Sequence, residues 1–403
     1  MKSYCVILLI ILIMFSGCNS QSRHGIEEED EFYTIDFEKS FNIEQQMLMS
    51  EIADSVEYIE LKTPQDIIIA NIPDIKTFDG NLILKSGGIV YLFNMNGHFL
   101  KQIGNRGQGP GEYYFAYDVE IDTKRREIIV SGGEQLLFYN LEGHFLRTLK
   151  LNGFINNMDI LDSILWISNL IYKANIKHYA VAFSLNNMFI NNESDTIAYI
   201  PNPHFSENVA GGGFEGTNLS EEFYHNRNLL YFKGEMFNND IWRISGTNIE
   251  PHATINLGKY KMPTEYEAWY SSSDIYRQHS ERYWCVSSLV EDDNYFYLLS
   301  ENRKFTKIDR KLKYIVYDKK KKKGFAVNDG DGIGLTDDIQ GGPPLWPRWI
   351  SEDYYINTIE AHELLEKIKT GDYSPSSKLN DLISRIGEDT NQLIILCRKK
   401  KNL

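Results

Sequence analysis

Gly341-Gly342-Pro343-Pro344-Leu345-Trp346-Pro347-Arg348-Trp349 gathers the residue types best suited to recognition chemistry in this 403-residue chain. Its prolines and glycines make a stiff loop, and tryptophan faces beside Arg348 can stack on a sugar ring or a peptide. Trp269, Tyr276 and Arg277 repeat that combination after Pro263. Trp346, Arg348, Trp349, Trp269, Tyr276 and Arg277 are therefore the candidate ligand-binding residues. The competing reading makes the same rings caps on a core.

Other patterns carry less. Asn328-Asp329-Gly330-Asp331-Gly332 opens like a calcium loop, but Ile333 and Gln340 stand where that loop needs oxygen ligands. A looser Ca2+ site near Asp329 and Asp331 competes with a plain solvated turn, and no cofactor is expected. Gly104 to Gly111 lacks the Gly-Lys-Ser/Thr ending of a phosphate loop, and no helical pattern follows it. It reads as a turn between elements, with Arg106 and Glu112 available to pair. His-Glu-x-x-His, Gly-x-Ser-x-Gly and Cys-x-x-Cys motifs are absent, and no catalytic residue is nominated.

The ends and the charge supply an address. Met1-Lys2, the apolar run Val6 to Phe15 and Phe15-Ser16-Gly17-Cys18 resemble a bacterial lipoprotein leader, with Cys18 the acylated residue. Residues 1–17 are then a signal peptide. Residues 18–31, ending in Glu27-Glu28-Glu29-Asp30-Glu31, form an acidic tether unable to bury a core. A formal charge of −14 argues against nucleic acid or anionic lipid headgroups as the main partner. Lys319 to Lys323 and Arg398 to Lys400 read as a solvated loop and a frayed tail. Cys285 and Cys397 sit in apolar contexts and read as buried thiols, with a disulfide as the alternative.

The elements that must position these residues are set by a repeat. Ser86-Gly87-Gly88 leads to Gly97-His98-Phe99-Leu100, and Ser131-Gly132-Gly133 leads to Gly143-His144-Phe145-Leu146. Gly97 and Gly143 are 46 residues apart, a spacing that fits one propeller blade. His98 and His144 hold equivalent places and so read as turn residues. Short β-branched and aromatic runs bounded by Asp-Gly, Asn-Gly and Glu-Gly recur along residues 32–403. The spacing predicts an all-β, six-bladed β-propeller, seven blades being the alternative. Short helices are expected over Thr358–Ile368 and Ser376–Ile386. Closure should join Gln392–Cys397 to Phe32–Phe37 or Val56–Leu61.

Ile103-Gly104-Asn105-Arg106-Gly107-Gln108-Gly109-Pro110-Gly111-Glu112-Tyr113, directly after Gly-His-Phe-Leu, resembles the six-bladed β-propeller lipoproteins of Bacteroidetes, relatives of NHL and TolB-like propellers. The resemblance implies a lipid-anchored protein of the cell envelope, with the outer membrane expected and the membrane face open. It implies no reaction. The expected function is a non-catalytic, monomeric binding module for a glycan or an envelope protein. The alternative is a hydrolase or lyase acting on a polysaccharide or peptide at the propeller mouth.

Overall fold

The computed structural model describes residues 31–69, 71–151, 154–168, 178–186, 196–201, 222–234, 238–263, 282–302, 311–327, 334–371 and 373–401. Cys18, Trp269, Tyr276, Arg277, Asp329 and Asp331 lie outside them, as do residues 1–30. Phe32–Leu403 forms one compact unit.

Blade one is β4 (Asp74–Phe78), β5 (Asn81–Ser86), β6 (Ile89–Asn94) and β7 (Phe99–Ile103). A two-residue parallel pair, β8 (Asn105–Arg106) with β9 (Glu112–Tyr113), leads to blade two. That blade is β10 (Asp118–Asp122), β11 (Glu127–Ser131), β12 (Gln135–Asn140) and β13 (Phe145–Lys150). Short turns join β4 to β5, β5 to β6, β10 to β11 and β11 to β12. Blade three is β14 (Asn157–Leu161), β15 (Ile164–Ser168), β16 (His178–Ser184) and β17 (Thr196–Pro201).

Blade four is β18 (Glu222–Asn226), β19 (Leu229–Lys233), β20 (Asp240–Ser245) and β21 (Asn248–Asn256). Blade five is β22 (Trp284–Glu291), β23 (Tyr295–Asn302), β24 (Leu312–Asp318) and β25 (Lys323–Val327). The N-terminal segment adds a fifth, parallel strand to each: β1 (Tyr33–Asp36) on β21 and β2 (Glu44–Gln45) on β25, with α1 (Phe37–Phe41) between them.

Closure falls on the second of the two expected segments. β26 (Trp349–Ile350), β27 (Tyr354–Ile359) and β28 (Leu393–Lys399) take β3 (Ala53–Glu60) as their outer strand, with Val56 opposite Cys397. One sheet thus joins both ends of the folded chain, and the ring of six blades has no open seam there. The helices α2 (Ala361–Thr370) and α3 (Ser377–Ile383) fill the connection from β27 to β28, as expected from the sequence. Ser376 Oγ caps α3 by accepting from Leu379 N at 3.2 Å.

The repeated motif is a turn. Asn94 Oδ1 accepts from His98 N at 3.0 Å, and Asn140 Oδ1 from His144 N at 2.8 Å. Gly97 and Gly143 take positive φ, 78° and 75°. A Cβ on Gly97 would strike the Glu60 carbonyl. Each histidine thus takes its place in the turn through its backbone N–H, and the His144 ring also meets Asn140 Nδ2 at 3.4 Å.

The core lies between blades. Ile75, Leu84 and Tyr91 of blade one meet Val119, Ile128 and Tyr139 of blade two in one buried cluster. Burying such faces on both sides of each sheet supplies the main driving force for closing the ring. Among the described residues, Cys285 and Cys397 are both buried. No helix among the described residues is long and apolar enough to cross a membrane.

Candidate functional site: an aromatic strip at the propeller mouth

Antiparallel blades give the ring two distinct faces. Turns from second to third strand and connections between blades share one face, here the upper. Turns from first to second and third to fourth strand share the lower. Recognition residues on loops of six blades converge on one such face around the axis.

On the upper face, Phe115, Tyr117 and Phe154 form an aromatic strip, with Tyr114 preceding it in the same connection. Phe115 and Tyr117 have ring centroids 5.0 Å apart, and Tyr117 meets Phe154 edge-on at 4.5 Å. Tyr114 is 80% exposed, and Phe115 and Phe154 are also exposed. Apolar rings held at a surface in contact with one another, rather than scattered singly, make this strip the candidate recognition surface.

The Ser-Gly-Gly blocks explain why the rings sit there. Each block is the turn from second to third strand in its blade. Gly88 has φ 75°, and a Cβ on it would collide with the Phe115 ring. Gly133 has φ 99°, and a Cβ there would lie 3.2 Å from Phe154 and 3.4 Å from Tyr117. Backbone bonds fix the seat, Ala116 N to Gly88 O at 2.8 Å and Ile155 N to Gly133 O at 2.9 Å. Arg106 donates from Nη2 to Gly87 O at 2.5 Å. It does so in place of the pairing with Glu112, whose carboxylate accepts from Gly109 N at 2.9 Å.

Below the strip, the first strands of four blades, together with Lys85 of β5, carry a polar network. Lys85 Nζ donates to the carbonyl of Tyr117 and lies 3.9 Å from Asp118 Oδ1. Asp118 Oδ2 accepts from Met158 N at 2.7 Å, tying blade two to blade three. Lys76 pairs with Glu120, tying blade one to blade two. His225 Nε2 and Asp159 Oδ1, 2.6 Å apart, tie blade four to blade three.

Ionisation follows this wiring. Burial raises the Asp118 carboxyl to about 6, against the opposing pull of Lys85. Burial works against the His225 cation, but the charge and hydrogen bond of Asp159 outweigh it and hold the imidazole above its ordinary range. Burial likewise works against ionised Asp159, and His225 outweighs it to leave that carboxyl low.

The expected residues fall out differently. Trp346 is a core residue, 8% exposed, packed edge-on against Tyr297 at 5.8 Å and Tyr314 at 4.8 Å. The open tryptophan face expected at that position is not there: prolines turn the loop inward and the ring fills the space between blades five and six. Arg348 is exposed and lies 4.4 Å over the half-buried Trp349 ring, where the sixth blade begins on the upper face. Sequence reasoning missed Tyr114, Phe115, Tyr117 and Phe154. The signal was Tyr113-Tyr114-Phe115-Ala116-Tyr117, four aromatic residues in five, overlooked beside the glycine-rich turn.

Six radial sheets, with β3 closing the ring against β28, define a six-bladed β-propeller. The chain belongs to the family described as "Domain of unknown function (DUF4934)", which matches residues 32–398. No curated protein matches it.

Among solved structures, a candidate exported protein of Bacteroides fragilis is 19% identical. It aligns over 92% of this chain and 100% of its own with a TM-score of 0.68, a likeness of fold. The extracellular domain of a one-component system from B. thetaiotaomicron is 11% identical over 70% of this chain and 30% of its own, TM-score 0.37. A Bacteroides caccae protein of unknown function is 9% identical over 62% of this chain and 78% of its own, TM-score 0.37.

Proposed function

We propose that this protein is a glycan-binding module of the bacterial cell envelope, held by a lipid on Cys18, with its ligand on the aromatic strip. The single observation that carries the reading is the contact chain Phe115–Tyr117–Phe154 on the upper face, its outer rings exposed and Tyr117 half-buried between them, seated on Gly88 and Gly133. Flat rings that stay in contact when unliganded offer C–H faces of a pyranose a preorganised platform at little entropic cost. Arg106 stands beside it as a hydrogen-bond donor for hydroxyl or carboxylate groups.

An envelope address agrees with the leader-like N-terminus and with the export in the name of the B. fragilis relative. The hydrolase alternative needs carboxylates open to the mouth. Asp118, Glu120 and Asp159 instead direct their oxygens to backbone N–H, Lys76 and His225, and all three are buried.

The test is a glycan array probed with the chain from Asn19 onward, followed by titration calorimetry on the hits. Wild-type protein should bind at least one polysaccharide class. Tyr117→Ala should weaken that binding about tenfold or more, in line with about 1–3 kcal/mol for a stacked ring. Binding unchanged in Tyr117→Ala, Phe115→Ala and Phe154→Ala alike would remove the strip from the account. A hit on protein bands alone would replace the glycan with a polypeptide partner.

A further inference from the structure

The lower face carries a second surface, of opposite character. Lys319-Lys320-Lys321-Lys322-Lys323 is the turn from third to fourth strand of blade five. Lys319 is buried, and Lys320 to Lys323 are exposed. Arg398-Lys399-Lys400-Lys401 closes the third strand of blade six and ends at the same face. Two basic runs about 75 residues apart in sequence thus become neighbours on adjacent blades. Both belong to a chain whose formal charge is −14. Acids stand among them: Glu51 and Asp54 near the start of β3, Asp292 and Asp293 in the turn from β22 to β23, where both act on Lys399, Glu352 and Asp353 in the turn after β26, and Asp318, whose Oδ2 is 2.9 Å from Lys321 Nζ. Four exposed lysines, Lys320 to Lys323, lie together at the blade-five turn.

The N-terminal segment enters at this place. β1 lies parallel to β21, Tyr33 opposite Ala253 and Asp36 opposite Asn256. β21, a fourth strand, runs from lower to upper face, so the chain enters β1 from the lower side. The Tyr33 ring lies 5.6 Å from Lys319 Nζ. Lys319 is in turn anchored by Glu291 Oε2 at 3.1 Å and by the Asp292 carbonyl at 2.5 Å. The first strand of the fold is therefore docked to the root of the lysine turn, and only residues 19–32 separate Cys18 from it.

We infer that the lower face, through Lys320 to Lys323 and Arg398 to Lys401, rests on an anionic lipid bilayer, which turns the aromatic strip away from the membrane. Exposed lysines near such a surface attract headgroups additively and over about one Debye length, within reach of so short a tether. The competing occupant is the chain's own Glu27-Glu28-Glu29-Asp30-Glu31, five acids that immediately precede Phe32. The inference rests on the glycan reading only for the direction in which the strip points. Membrane contact is measured without any ligand, so the two fail separately.

The test is co-sedimentation with phosphatidylcholine vesicles containing phosphatidylglycerol, against pure phosphatidylcholine, at low and high salt. Two non-acylated chains are compared, one from Asn19 and one from Phe32, the start of the compact unit. Both should bind the anionic vesicles only and be released by salt. Lys320→Glu/Lys323→Glu should lower vesicle affinity more than about tenfold, while Lys369→Glu on the upper-face helix leaves it unchanged. Melting curves matched to wild type establish that the variants are folded. Failure of the Phe32 chain to bind, or retained binding in the double variant, overturns the proposal. Binding by the Phe32 chain but not the Asn19 chain also overturns it, and makes the acidic run the occupant.

Discussion

His225 Nε2 and Asp159 Oδ1 stand 2.6 Å apart across the seam between blades three and four. A carboxylate can only accept, so Nε2 carries the proton. The imidazole edge is partly open to water while the carboxylate is buried, so the link is asymmetric. Losing the histidine strands the acid.

His225→Gln should therefore destabilise the propeller by about 1–3 kcal/mol, less than a fully buried pair because water screens the ring. The pH window follows from the signs. His225 has a raised folded pKa, so its contribution is complete below about 6.5 and fades as pH rises through the folded value. Asp159 has a lowered one, so its contribution is complete above about 3.9 and fades at lower pH. Urea unfolding of wild type and variant should differ most between about pH 4 and 6.5. A difference independent of pH would show that packing, not charge, holds this seam.

Asp118 runs the other way. Its carboxyl, raised by burial to about 6, binds a proton more tightly in the folded state than in the unfolded one. Stability from this group falls as pH rises from about 4 to about 6. Asp118→Asn keeps an oxygen for Met158 N and removes the titration. Wild type should lose stability relative to the variant over that interval in parallel urea titrations.

Gly87 and Gly88 separate backbone strain from ring contact. Both have positive φ, 57° and 75°, but a Cβ on Gly87 meets nothing within 4 Å, whereas one on Gly88 meets Phe115. Gly87→Ala should cost about 1 kcal/mol. Gly88→Ala should cost more and displace Phe115. Thermal melts give the first comparison, and the glycan titration gives the second, since only Gly88→Ala should weaken binding.

Ring closure rests on Val56, fully buried and opposite Cys397. Val56→Asp places a carboxylate in that sheet and should cost several kcal/mol, at least about 3. Its sign in solution is fast labelling of Cys397, a thiol that burial keeps protonated and covered in the native ring. Slow labelling in the variant would mean that closure survives without this residue.

Much of this architecture is local and therefore legible in the chain. The Asn94–Gly97 and Asn140–Gly143 turns are built from side chains reaching their own neighbours, so their spacing exposed the blade period. Strand alternation and the capped α3 are local as well. Val56 to Leu61 could be paired with the C-terminal strand because a ring must cover its last edge.

The site was not legible in the same way, because exposure is a property of the assembled ring. Trp346 and Phe115 are both aromatic residues in proline- or glycine-rich loops. Only the fold places the first between Tyr297 and Tyr314 and leaves the second open over Gly88. The two lysine-rich runs read as unrelated ends until third strands of adjacent blades carried them to one face. Composition and short-range spacing determine which strands and turns form. Which side chains meet, and which remain in water, depends on packing between sheets tens of residues apart, and that the tertiary structure alone decides.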